Sequence, residues 1–76
     1  MNNQRRKAIK SIMERIEELR ADIEAIQEEE QEAYDNMPES LQDSERGMIA
    51  EEALENLEEA LDSLEETYDS LESAAE

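Results

Sequence analysis

The sequence predicts an all-α fold, an antiparallel two-helix hairpin of coiled-coil type, and three observations predict it. Apolar side chains recur in alternating steps of three and four on both sides of a single proline. Gly and Pro occur once each, Phe, Trp, Cys and His are absent, and Glu, Leu, Ile and Ala abound, a composition typical of long helices. The two apolar stripes are also equally long, and they match residue for residue when the chain is folded about position 40.

The first helix is expected over residues 3–36. Ile9, Ile12, Ile16, Leu19, Ile23 and Ile26 supply the a and d positions of nearly three heptads, and the same stepping continues through Glu30, Ala33 and Met37. Asn36-Met37-Pro38 ends it, because proline disfavours helical dihedrals at the preceding residue and has no N–H to donate. Residues 37–43 form the turn, with Pro38 opening one tight helical turn. Asp43 or Ser44 is the expected N-cap of the second helix, since a short oxygen-bearing side chain can accept an orphan backbone N–H.

The second helix is expected over residues 44–73. Its stripe reads Gly47, Ala50, Leu54, Leu57, Leu61, Leu64, Tyr68, Leu71 and Ala75. Folding the chain back pairs Ile26 with Leu54, Ile23 with Leu57, Leu19 with Leu61, Ile16 with Leu64, Ile12 with Tyr68 and Ile9 with Leu71. Isoleucine lines one side of this seam and leucine most of the other.

Charge favours the same antiparallel sense. The formal net charge is −17. Residues 1–20 carry six basic side chains against three acids, whereas residues 21–76 carry 21 acids against Arg46 alone. Folding back brings Arg5, Arg6, Lys7 and Lys10 beside Glu66, Asp69, Glu72 and Glu76. Exposed ion pairs are worth at most about 1 kcal/mol each, so they select orientation more than they hold the fold. Two helices bury little, and chains this short seldom stand without a staple, a metal or a partner. The expectation is therefore a homodimer completing a four-helix bundle. Ala53, Ala60, Thr67 and Ala74 offer a stripe of small residues beside the leucines, across which another helix can approach, while Met13, Ala21 and Ala25 lie off the main stripe of the first helix.

The composition narrows the chemistry. Without His there is no Glu-x-x-His pair for a di-metal bundle, and the acidic turn lacks the spaced ligands and central glycine of a calcium loop. Acid–base work by two carboxylates needs a partly dry cleft, which a narrow seam does not offer. No glycine-rich phosphate loop or cofactor fingerprint is present. The chain is read as non-enzymatic, with no cofactor and no metal. Its acidic surface repels nucleic acid and anionic membrane and attracts basic proteins. The basic amphipathic stretch 5–20 is read as half of the hairpin rather than as a membrane-surface helix, because the second stripe matches it. The lack of Cys fits a reducing compartment, and the expected location is the cytoplasm.

The tip gathers the unusual residues: Tyr34, Met37, Pro38, Leu41, Arg46, Met48 and Ile49. They plug the open end of the seam, and Met and Tyr beside a rigid turn also make a contact patch for another protein. Arg46 is expected to stack on Tyr34 and pair with Glu30, clamping the tip. Gly47 sits in the first turn of a helix at a cost of about 1 kcal/mol relative to Ala, which implies that a backbone passes close to it.

The stretch Tyr34-Asp35-Asn36-Met37-Pro38-Glu39-Ser40-Leu41-Gln42-Asp43-Ser44-Glu45-Arg46-Gly47, continued by Ala50-Glu51-Glu52-Ala53-Leu54-Glu55-Asn56-Leu57-Glu58-Glu59-Ala60, resembles a group of small acidic proteins encoded in bacteriophages and prophages of Gram-positive bacteria. The resemblance implies a phage-associated protein in the host cytoplasm, and it transfers no catalytic or binding residue. The functional expectation is an acidic binding module that docks on a basic or nucleic-acid-binding host or defence protein. The alternative is a homo-oligomerising scaffold whose acidity only keeps it in solution.

Overall fold

The computed structural model describes residues 1–76. It contains helix α1 (Asn3–Asp35), a single turn α2 (Glu39–Gln42) and helix α3 (Glu45–Ala74), and no strand. α1 and α3 lie against each other in a rod of 58 × 15 × 12 Å. Each long helix spans about 45–50 Å at the usual rise per residue, so the chain reverses once and runs back along itself.

Local chemistry sets the ends. The Asn2 side chain accepts a 2.8 Å hydrogen bond from the Arg5 backbone N–H and caps α1. Proline stops α1 and then starts α2, where its missing N–H costs nothing. Ser44 occupies the N-cap position of α3 but makes no side-chain capping bond; its hydroxyl instead donates to the Leu41 carbonyl at the end of α2. One hydroxyl thus joins two helices rather than capping one.

The leucine side of the seam lies against α1: Leu54, Leu57, Leu61, Leu64, Tyr68 and Leu71 are all half-buried. The isoleucine side is rotated from the expected stripe. Ile16 is the best-shielded large side chain, 6% exposed, and Ile9 and Ile23 are half-buried. Ile12, Leu19 and Ile26 are exposed, the last two to 51% and 54%. Their places, and that of the exposed Ala33, are taken by Met13, Arg20, Gln27 and Tyr34, one residue further along at each step. The physical reason is that 9-13-16-20-23-27-30-34-37 is also a path of threes and fours on a helix, and polar members of that path find partners across the seam. Gln27 Nε2 donates to Glu58 Oε2 at 2.7 Å, and the Tyr34 hydroxyl donates to Glu51. Gln27 therefore meets a residue five positions beyond Ala53, with which the even register would align it.

At the end opposite the tip Arg6 reaches across to α3. Its Nε donates to the Ala75 carbonyl at 3.1 Å and its Nη2 to the Glu76 carbonyl at 3.5 Å. A cation at a helix C-terminus offsets the negative end of the dipole and satisfies carbonyls that lack intrahelical partners. The acidic side chains there form no ion pair within 4 Å; the one ion pair of the molecule joins Arg20 to Glu17 within α1 at 3.1 Å.

Gly47 is buried where α3 passes the end of α2. A Cβ there would stand 1.9 Å from the Gln42 carbonyl oxygen and 2.6 Å from the Gln42 Cα, both backbone atoms. Glycine is required by proximity, since its φ is negative and ordinary. Ala50, about one turn on, is 4% exposed. Gly47→Ala should lower the unfolding midpoint in thermal circular-dichroism melts by an overpacking cost of about 1–3 kcal/mol. That outweighs the roughly 1 kcal/mol of helix propensity that alanine brings, and a raised midpoint would contradict the close packing.

Candidate interaction surface at the hairpin tip and along the acidic edge

The tip is a closed loop of hydrogen bonds. Gln42 is its organiser: Nε2 donates to the Tyr34 carbonyl at 3.1 Å and the Met37 carbonyl at 3.2 Å. One amide thereby ties the last turn of α1 to the residue before Pro38, adding to the backbone N–H of Met37 that the Tyr34 carbonyl already accepts. The sequence reading passed over Gln42; a side chain with two amide donors just beyond a proline-terminated helix was the available signal. The loop also carries backbone bonds from Leu41 and Gln42 to the Pro38 carbonyl.

This frame sorts the seven tip residues expected as a patch. Tyr34 and Met37 are half-buried, inside the tip. Pro38 and Leu41 are exposed on the turn, and Met48 and Ile49 stand on the outer surface of α3, 64% and 60% exposed. The patch is therefore divided: two side chains plug the seam and four large apolar ones face solvent.

Arg46 does not form the expected clamp. It is exposed, makes no ion pair with Glu30, and donates to no side chain. Helical spacing explains why. Tyr34 lies on the edge of the seam that Glu51 borders, whereas Arg46 shares the column of Ala53 and Ala60 on the other edge. Glu51 takes the role that was expected of the cation, as acceptor for the tyrosine.

That hydrogen bond perturbs the phenol. The Tyr34 pKa lies above its ordinary value of 10.0, chiefly because the hydroxyl donates to Glu51, then through partial burial and the negative charges of Glu51, Asp43 and Asp35.

Below the tip the bonded edge is almost wholly acidic. A shallow groove there is lined by Glu24, Glu28, Glu58, Asp62 and Glu65 with Gln27 and Arg20. Leu61 is the one apolar residue of its lining, and the Arg20 Nε is enclosed without a hydrogen-bond partner. No three carboxylates converge closely enough to hold a metal ion, and no helix is long and apolar enough to cross a membrane.

No protein-family model, curated protein or solved structure matches the chain.

The Tyr34 contact yields a pH prediction. A phenol whose folded pKa is raised is bound better neutral than ionised. Its contribution to stability is complete below pH ~10 and is lost as pH rises through the raised value. In a Tyr68→Phe background, titration of tyrosinate absorbance should show Tyr34 ionising above pH ~10, and Glu51→Gln should move that midpoint down. An unmoved midpoint would show that the hydrogen bond is not made in solution.

Proposed function

We propose that this chain is a non-enzymatic, acidic protein-binding module that docks on a basic protein, and that it works as a homodimer. The observation that carries the proposal is a dense, unpaired array of carboxylates on a stiff support. α3 holds eleven Asp and Glu in its 30 residues, which is one charge per ~4 Å of helix axis. Phosphates follow one another at about 3.4 Å along one strand of duplex DNA. Almost none of these carboxylates is neutralised from within, because the only ion pair lies inside α1.

An exposed array of one sign attracts proteins of the other sign and speeds their encounter. A nucleic-acid-binding protein presents such a surface by necessity. The resemblance to phage-encoded acidic proteins makes a host or defence protein in the bacterial cytoplasm the partner class of choice. The exposed Leu41 and Met48 at one end of the rod give the apolar anchor that a purely electrostatic contact lacks.

A scaffold reading has one observation in its favour: only Ile16, Gly47 and Ala50 are buried in the hairpin, which leaves a lone chain short of core. The two readings part on mutation. If the module binds through charge, Glu51, Glu58, Glu65 and Glu72 changed together to Gln should abolish capture of basic proteins from bacterial lysate, with helicity retained. The captured proteins should be released by moderate salt and by added duplex DNA. Capture that survives both salt and the four substitutions, or no capture at all, would favour the scaffold.

A further inference from the structure

The residues that α1 turns towards α3 form two columns: Ile9, Ile16, Ile23 and Glu30, and beside them Met13, Arg20, Gln27 and Tyr34. On α3 the facing columns are Gly47, Leu54, Leu61 and Tyr68, and Ala50, Leu57, Leu64 and Leu71. The bonds from Gln27 to Glu58 and from Tyr34 to Glu51 fix one edge of the seam. That edge is charged, with Lys10, Glu17 and Glu24 from α1 facing Glu51, Glu58, Glu65 and Glu72 from α3. Helical spacing then assigns the columns on the opposite edge. α1 places Ile12, Leu19, Ile26 and Ala33 there, and α3 places Ala53, Ala60, Thr67 and Ala74. The next column outward on α3 reads Ile49, Asn56, Ser63 and Ser70. None of these twelve residues is charged, in a chain where 41% of residues are; charge returns only at the margins of the edge, with Arg5 and Arg46 heading two of the columns and Arg15, Asp22 and Glu29 in the outer column of α1.

We propose that this uncharged edge is the interface with a second copy of the chain, related by a twofold axis parallel to the hairpin, so that both tips lie at the same end. The inference rests on the homodimer proposed above for the existence of the second copy, and it adds the face and the orientation.

Size complementarity selects the orientation. Rotation about the long axis lays α1 of each copy over α3 of the other. The bonds from Arg6 to Ala75 and from Gln27 to Glu58 define which levels correspond. At those levels Ile12 falls between Thr67 and Ala74 of the other copy, Leu19 between Ala60 and Thr67, and Ile26 between Ala53 and Ala60. Each large side chain enters a gap between two small ones, as knobs enter holes. The exposure of Leu19 and Ile26 in the single hairpin is then the surface that pairing removes.

Charge selects the same orientation. The basic start of α1 comes to lie over the acidic end of the other copy's α3, and each acidic α3 is flanked by two copies of α1. Arg46, which has no ion pair within its own chain, heads the Ala53 column and meets the acidic last turns of the other α1. The competing twofold, across the hairpin, stacks α1 on α1 and α3 on α3. It sets Leu19 against Leu19, alanine against alanine, and one acidic helix against another, so it loses on shape and on charge alike. Area is sufficient: a face of 58 by 15 Å matches the roughly 800 Å² per partner of a stable interface.

Functionally, the arrangement presents two tips side by side, with both acidic edges turned outward and free. A partner with two basic sites would then be met by two acidic edges held at fixed separation, which raises avidity without a new contact.

The test is light scattering together with a spin-label distance measurement on Ser40→Cys, the chain having no cysteine of its own. The expected results are twice the 8.8 kDa chain mass and an inter-label distance well under half of the 58 Å length. A distance approaching the full length would overturn the tips-together arrangement while leaving the dimer intact. A single-chain mass at high micromolar concentration would overturn both. Leu19→Glu should halve the mass with the helical signal retained, and Glu65→Gln, on the opposite exposed edge, should leave the mass unchanged. If Leu19→Glu loses helicity, Thr67→Glu tests the same contact from α3. A dimer that survives Thr67→Glu would show that another face is used.

Discussion

Ile9, Ile16 and Ile23 line one side of a single narrow seam, and Leu54, Leu57, Leu61 and Leu64 line the other. This is the one extended apolar contact between the two halves of the chain, and the remaining features depend on it. Helices of this length and charge would gain little from staying helical alone, because most helical stability in proteins comes from packing one face. Once the seam forms, the carboxylates of α3 are held at fixed intervals instead of diffusing on a flexible tail. Their mutual repulsion is tolerated because every one of them faces water.

The tip converts that seam into a defined register. Gly47 lets α3 pass within van der Waals reach of the Gln42 backbone, and Gln42 in turn holds the Tyr34 carbonyl in the last turn of α1 and the Met37 carbonyl just beyond it. The Tyr34–Glu51 bond then fixes the rotation of one helix against the other one turn below. At the far end Arg6 performs the matching task by donating to the last carbonyls of the chain. Both ends of the rod are thus fastened by side chain to backbone bonds, and ion pairs contribute little to either.

The two long helices, the place of reversal and the leucine side of the seam were legible in the residues, because proline and a seven-residue leucine repeat have few structural readings; the turn expected over 37–43 holds a third, four-residue helix. The rotation of α1 was not. Two interleaved paths of threes and fours run along that helix, and they share Ile9, Ile16 and Ile23. Hydrophobicity alone prefers the one through Ile12, Leu19 and Ile26. The structure follows the other, in which Gln27 and Tyr34 gain acceptors across the seam, and long-range hydrogen bonds of that kind leave no trace in periodicity. Of the candidate surface, the exposed Met48 and Ile49 were foreseeable, whereas the place of Arg46 depends on that same rotation and was missed with it. The apolar residues displaced from the seam form the uncharged edge, so the misreading and the proposed interface have one cause.

Energy transfer between dyes at Asn3 and Ser73, in labelled chains diluted with an excess of unlabelled protein, tests the antiparallel fold most directly. A folded-back chain keeps these positions about as close as the 15 Å breadth of the rod and the dye tethers permit, and transfer should be near complete. A continuous helix would separate them by roughly 100 Å, and absent transfer would contradict the account.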